Sequence, residues 1–315
     1  MSMSPPDATP LLVEITPDAF PAYFLERDGR LFHSHEPSPY PLPADTPEQQ
    51  RLNVTHVALN RLIGANYVGP VPDVLAREPH RPRIALDLCT GTGRWVIDMA
   101  REFPHVSFRG FDIVPIATRY PPFNAQFEVH DVNSRYRWED GSIDLVYARS
   151  ISMAVHDYPT VLQEVARVLR PGGLFISYEW GRYPAFHPSV TVKPPIHGVE
   201  RFFNVLEEAL ETVRDIYPIA PHIPSYLIDS GHFDDISPEH FNMPVGPWQN
   251  DEELRKLGRA FRASLRRYAN SVKPLLYEAG WTEEDVREIT QNYIHDLETV
   301  RGMVCRLYTV HARRI

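Results

Sequence analysis

Cysteine is nearly absent from this sequence. Only Cys89 and Cys305 occur among 315 residues, too few for the disulfide framework of a small secreted domain, and both thiols are expected free. An excess of positive charge is missing as well. Lys and Arg number 32 against 41 Asp and Glu, for a formal net charge of -9, which gives no electrostatic footing for nucleic acid or for an anionic membrane. No apolar run approaches the roughly 18 residues of a membrane helix. The first twenty residues contain no charged stretch followed by an apolar one, so no secretory signal is read there. No segment recurs at a fixed spacing, which sets aside solenoids and propellers. What remains is an expectation of a cytoplasmic protein that meets a small molecule or a protein partner, with its oligomeric state left open.

Enough apolar material is present for a sizeable core, since 43% of residues are hydrophobic and 23% charged. Thirty-one prolines mark loops and connections. Between them lie short apolar runs at 84–88, 106–113, 125–129, 142–148 and 174–180, which read as strands buried on both faces of a parallel sheet. Helical spacing over 93–103 and 159–170 makes this centre a βαβ series. An amphipathic helix over 47–63 precedes it. After Trp180 a Pro-, His- and aromatic-rich stretch runs to about Trp248, with a helix expected at 199–214 and a strand near 233–241. Acidic first turns at Asp251 and Thr282 open two helices, 251–279 and 282–300, and a strand over 303–312 follows. A doubly wound sheet of this kind takes its ligand at the carboxyl ends of the strands.

The strongest local signal is Leu86-Asp87-Leu88-Cys89-Thr90-Gly91-Thr92-Gly93, a strand ending in a glycine-rich turn that opens a helix. A dinucleotide fingerprint starting at Gly91 and Gly93 would need a third glycine where Val96 stands, so pyrophosphate is disfavoured. No Gly-Lys-Ser/Thr follows, so a P-loop fails too. The run resembles the acidic-x-G-x-G-x-G loop of class I S-adenosylmethionine methyltransferases, with Cys89 in place of the first glycine. That replacement asks Cys89 to sit at an ordinary negative φ. Asp112 ends the second strand about 20 residues on, where an acidic side chain accepts ribose hydroxyls. Ile113 follows it. Asp131, after the third strand, is placed for the adenine amino group, and the Val132 amide for a ring nitrogen. Taken alone, an Asp after a strand, such as Asp112, is more often a helix or turn cap.

Longer matches narrow the resemblance. Tyr40-Pro41-Leu42-Pro43 with Asp45, Glu48 and Arg51, then HDVNSRYRW (130–138), LRPGGLFISYEW (169–180), MPVGPWQNDEELRKLG (243–258) and GWTEEDVREI (280–289) are together similar to the fungal LaeA-like methyltransferases, from about residue 36 onward. The resemblance implies an α/β, Rossmann-like class I fold with a seven-stranded sheet whose last strand is antiparallel. It also implies S-adenosyl-L-methionine as cofactor. A segment over 1–80 would cap the cofactor, with Tyr40 and Arg51 against it. The methyltransferase domain would fill 81–315, including a substrate or lid insertion at 181–248 and a helical segment at 249–301.

Methyl transfer needs nucleophile and methyl held in line in a water-poor site, and a base only if the acceptor must lose a proton. His156, beyond the fourth strand, and Glu179, at the end of the fifth, are the candidate bases. His156-Asp157 also suits a helix cap, and a strand-end Glu is commonly solvated. Arg149, directly after the fourth strand, is a candidate for the methionine part of the cofactor. Met153, Trp180 and His222 are candidates to line the acceptor pocket. The spread histidines match no compact zinc spacing, and no metal is assigned. The expected activity is O-methylation of a small apolar or aromatic fungal metabolite. The alternative is a regulator of secondary metabolism that binds S-adenosylmethionine, acts through protein partners and works in the nucleus. A basic targeting tail would favour it, whereas the start of the sequence is rich in Pro and Ser.

Overall fold

The computed structural model describes residues 12–315, so the first eleven residues of the expected cap segment lie outside the described residues. In the cap a 3-10 helix, Pro17–Tyr23, leads into a hairpin of β1 (Phe24–Arg27) and β2 (Arg30–His33). Asp28 and Gly29 join the strands at φ 51° and 69°, the doubly left-handed turn that Asp-Gly favours. This hairpin was not among the elements expected from the sequence, although the dipeptide signals it. Helix α1 (Thr46–Ile63) follows, started by the Asp45 carboxylate accepting from the Glu48 amide and stopped by Gly64 at φ 80°. Arg30 reaches back to Asp45 at 2.5 and 3.0 Å, tying the hairpin to the helix start.

After a single turn, α2 (Val71–Val74), the βαβ series runs β3 (Arg83–Leu88), α3 (Arg94–Glu102), β4 (Val106–Asp112), β5 (Ala125–Val129), β6 (Ile143–Arg149), α4 (Tyr158–Val168) and β7 (Leu169–Trp180). The remainder comprises β8 (Ala185–Phe186), α5 (His197–Arg214), α6 (Ile223–Ser230), β9 (Phe233–Pro244), α7 (Glu252–Ser271), α8 (Lys273–Glu278), α9 (Glu283–Thr299) and β10 (Met303–Arg314). The strand order is β5-β4-β3-β6-β7-β10, with β9 on the far edge of β10. Strands β3 to β7 are parallel, and β10 is antiparallel to both of its long neighbours. Two-residue β8 pairs with Met303 and Val304 on the edge of β10 that β7 uses farther along. Among the described residues the sheet therefore has eight strands in seven columns, and the class I methyltransferase arrangement is present with its antiparallel last strand.

Every residue of β6 except Arg149 is buried, as expected for a central strand covered by helices on both faces. On one face Trp95 stacks on Tyr147 at 4.1 Å; on the other Phe111 and Trp138 stack at 6.0 Å. Two expectations need correction. The helix foreseen over 251–279 breaks at Val272, because Pro274 has no amide to donate and takes the first turn of α8 instead. The stretch 181–248 is not a loop-rich lid. Its α5 packs on α8 and α9, its α6 on α4, and its β9 belongs to the sheet. Among the described residues no helix is long and apolar enough to cross a membrane.

Candidate functional site

The parallel strands deliver a row of charges to one edge of the sheet. Asp131 follows β5, Asp112 ends β4, Asp87 lies near the end of β3, and Arg149 ends β6. These strands are adjacent in that order. At about 4.8 Å per strand the row spans roughly 14 Å, three carboxylates followed by one guanidinium. A cavity runs along it, roofed by residues 33–44 and by the face of α1 that carries Arg51, Leu52, Thr55, His56 and Leu59.

The glycine-rich turn forms the floor. Cys89, Gly91 and Gly93 take φ of 50°, 57° and 74°, so all three positions of the glycine pattern are left-handed. The negative φ expected of Cys89 is wrong. A side chain stands there at a cost of about 1 to 2 kcal/mol relative to glycine. Ser150, which also lines the cavity, is the second strained residue there at φ 57°. Three of the turn's amides are already used: Thr90 donates to the Phe111 carbonyl, Gly93 to the Thr90 carbonyl, and Gly91 to the Asp112 carboxylate at 2.8 Å. A pyrophosphate would find those donors taken and carboxylates beside it.

Gly91 and Gly93 serve different ends. A Cβ on Gly91 would point across the cavity to Leu52, 3.6 Å away, whereas one on Gly93 would strike the Phe127 ring at 2.4 Å. Gly93 does not line the cavity; it permits close packing behind the turn. The helix-to-strand approach that a third glycine would allow comes instead from Gly110 on β4, whose Cβ would meet Thr90 at 2.8 Å and Val96 at 3.1 Å.

Of the other residues expected to hold the cofactor, Tyr40, Arg51, Asp87, Gly91, Asp112, Ile113, Asp131, Val132 and Arg149 all line the cavity. Burial pushes the Asp87 carboxyl up to about 7, against the Thr90 hydroxyl and the Arg149 charge, which lower it. Burial likewise raises Asp112 to about 6, against the amides of Gly91 and Val114. Asp131 accepts from the Asn133 amide and side chain at 2.9 Å through one oxygen and meets His35 of the roof at 3.2 Å through the other. Arg51 donates twice to Glu48 at 2.8 and 2.5 Å, and Glu48 accepts from the Ser271 hydroxyl at 2.6 Å.

The expected catalytic pair is placed differently. His156 lies outside the cavity, and its ring Nε2 meets the Pro37 carbonyl of the roof at 2.7 Å. Glu179 is buried, with Oε1 accepting the amides of Ile151 and Ser152 at 2.7 and 3.1 Å and Oε2 the Ser152 hydroxyl at 2.9 Å. Burial raises its carboxyl to about 7, and those donors lower it. Both oxygens thus hold the loop after β6, which suits a positioning role better than that of a base. Met153 lines the cavity. Trp180 does not; it stacks on Phe261 at 5.0 Å in the core. His222 is exposed between α5 and α6, away from the cavity. Residues 181–248 contribute nothing to the cavity wall. Among the described residues no three His, Cys, Asp or Glu side chains cluster as a metal site.

Sequence reasoning missed His56 and Asp98. The polar residues Glu48, Arg51, Thr55 and His56 share one face of α1 at helical spacing, and it is the structure that turns that face inward, with Glu48, Thr55 and His56 buried; nothing local marked Asp98.

A family model described as a methyltransferase domain matches residues 85–173. The secondary metabolism regulator laeA of Coprinopsis cinerea is 29% identical over 299 residues, covering 92% of this chain and 73% of that protein. The methyltransferase pytC of Aspergillus terreus is 29% identical over 266 residues, 82% of this chain and 78% of its own length. The secondary metabolism regulator LAE1 of Cochliobolus heterostrophus is 31% identical over 244 residues, 76% of each chain.

Proposed function

This chain belongs to the LaeA-like family of methyltransferases, and from that premise we propose that it uses S-adenosyl-L-methionine to methylate a small apolar acceptor on an oxygen that is already ionised, such as a carboxylate or an acidic phenol. The observation that carries the cofactor assignment is the charge row along the strand ends. S-adenosylmethionine has a zwitterionic tail at one end and hydroxyls and an aromatic amine at the other. Arg149 and Asp87 suit the tail; Asp112 and Asp131 suit the hydroxyls and the amine. Gly91, without a Cβ, leaves room for ligand against the turn. When bound, S-adenosylmethionine supplies a methyl group on a positively charged sulfur.

The chain's own residues orient and enclose. Leu42, Leu52, Leu59, Ile113, Val132 and Met153 line the cavity with apolar surface, which excludes water and strengthens each polar contact. Glu179 fixes the loop carrying Ser150 and Met153 through the amides of Ile151 and Ser152. With Glu179 committed and His156 outside, neither expected base is free to take a proton, which favours an acceptor that needs none.

Calorimetry tests the cofactor assignment. S-adenosylmethionine should bind, and Asp112→Ala should weaken it by about 1 to 3 kcal/mol; tighter binding of NAD would overturn the choice. Transfer of labelled methyl to a panel of aromatic acids, acidic phenols and unactivated alcohols tests the acceptor, with activity expected on the first two. Binding without transfer to any small molecule would favour the regulatory alternative, in which the protein acts through a partner.

A further inference from the structure

Arg149 forms no ion pair among the described residues, although it lines the cavity near Asp87. Its one side-chain hydrogen-bond partner in the cavity wall is neutral: Nη1 meets His56 Nδ1 at 3.0 Å. A guanidinium only donates, so Nδ1 must accept and the ring proton must sit on Nε2. Nε2 in turn meets Asp98 Oδ2 at 2.8 Å, and a carboxylate there fixes that tautomer. Three elements converge on the chain of contacts: Asp98 from α3, His56 from α1 and Arg149 from β6.

We infer that Asp98 and His56 are positioning residues that hold the Arg149 guanidinium, as an unneutralised cation, for the carboxylate of the cofactor's amino-acid tail. This rests on the cavity being an S-adenosylmethionine site. A free arginine beside Asp87 would relax into an ion pair with it and cancel both charges. The His56 contact holds Arg149 apart, so a cation and an anion both remain for a zwitterion. His56 must be neutral to do this. It is 2% exposed, and burial, then the charge of Arg149, push it down to about 4. The charged groups facing it are Arg149 of β6 and Asp98 and Arg94 of α3; the neutral neighbour is Asn60 of α1, whose Nδ2 lies 3.2 Å from Nε2 without bonding to it and donates to Asn66 Oδ1 at 2.6 Å.

The test compares two ligands by calorimetry: S-adenosylhomocysteine, which carries the amino-acid tail, and 5′-methylthioadenosine, which lacks it. Wild type should bind both. His56→Ala should weaken S-adenosylhomocysteine about tenfold while leaving methylthioadenosine within about twofold, a selective loss of about 1.4 kcal/mol. Asp98→Ala, at a partly exposed position on α3, should show the same selectivity in a variant that folds if His56→Ala does not. His56→Asn, which restores an acceptor near Nδ1, should recover part of the loss. Equal weakening of both ligands, or of neither, would overturn the relay while leaving the cofactor assignment standing. Failure of wild type to bind either ligand would overturn both.

Discussion

The amide of Gly91 donates to the carboxylate of Asp112 at 2.8 Å, so the turn after β3 is held by the acid that ends β4. Asp112 is raised by burial to about 6. Its folded value lies above the unfolded value near 3.9, so its contribution to stability is full below about pH 4 and is lost as pH rises through about 6. Asp112→Asn should therefore raise the melting temperature at pH 8, with the gain shrinking towards pH 4, while cofactor affinity falls. A lower melting temperature at pH 8 would contradict this.

Cofactor affinity should itself rise with pH. Asp87 and Asp112, raised to about 7 and about 6 by burial, must be ionised to receive an ammonium group and two hydroxyls. Between pH 5 and 8 binding should strengthen and release protons. Calorimetry in buffers of different ionisation enthalpy would measure that release, and its absence would mean that neither carboxylate changes state.

The two glycines of the turn should fail differently. Gly91→Ala has room for its Cβ but places it at φ 57°, a strain of about 1 to 2 kcal/mol; it should fold with that modest loss and weaken cofactor binding as well. Gly93→Ala adds a 2.4 Å clash with Phe127 to a φ of 74° and should destabilise by about 2 to 4 kcal/mol. A second change, Phe127→Ala, should relieve the clash and not the backbone strain. Denaturant titration separates these outcomes.

Cys89→Gly should stabilise the fold by about 1 kcal/mol, since only the side chain makes φ 50° costly. Chemical denaturation reads the effect directly. A loss of stability would show that the packing of the half-buried thiol outweighs the strain.

His156→Ala should raise KM for the cofactor by loosening the roof at Pro37 and change kcat less than about tenfold. A fall in kcat of about 10² or more with unchanged cofactor affinity would restore His156 as a general base.

The parallel half of the sheet was legible because its strands are buried on both faces and so carry apolar runs, as in β6. In the other half, the strands near 233–241 and 303–312 were legible as runs, but the antiparallel sense of the last strand came only from the family resemblance, and the order of the columns came from neither. Asp87, Asp112 and Asp131 were legible because a strand end fixes where its next side chain must lie. The acceptor side was not, since it depends on how distant segments pack. Trp180 ends β7 and stacks on Phe261 of α7 instead of facing the cavity, while His222 lies in a stretch whose composition suggested a pocket, yet α5 spends its apolar face on α9. His156 sits where a base was expected in sequence. A single backbone carbonyl from the roof, 119 positions away, takes its ring nitrogen, and no local pattern records such a contact.

Because β10 pairs with β7 along one edge and β9 along the other, the sheet stays divided during synthesis until residues 303–314 have left the ribosome. Before then β7 offers a bare edge on a strand whose second half is built to be buried on both faces, a template for chaperone capture or for pairing with another chain. The arrival of β10 closes both edges at once. Slowing translation just before Met303 should therefore lengthen the aggregation-prone interval, and speeding it should raise the soluble yield.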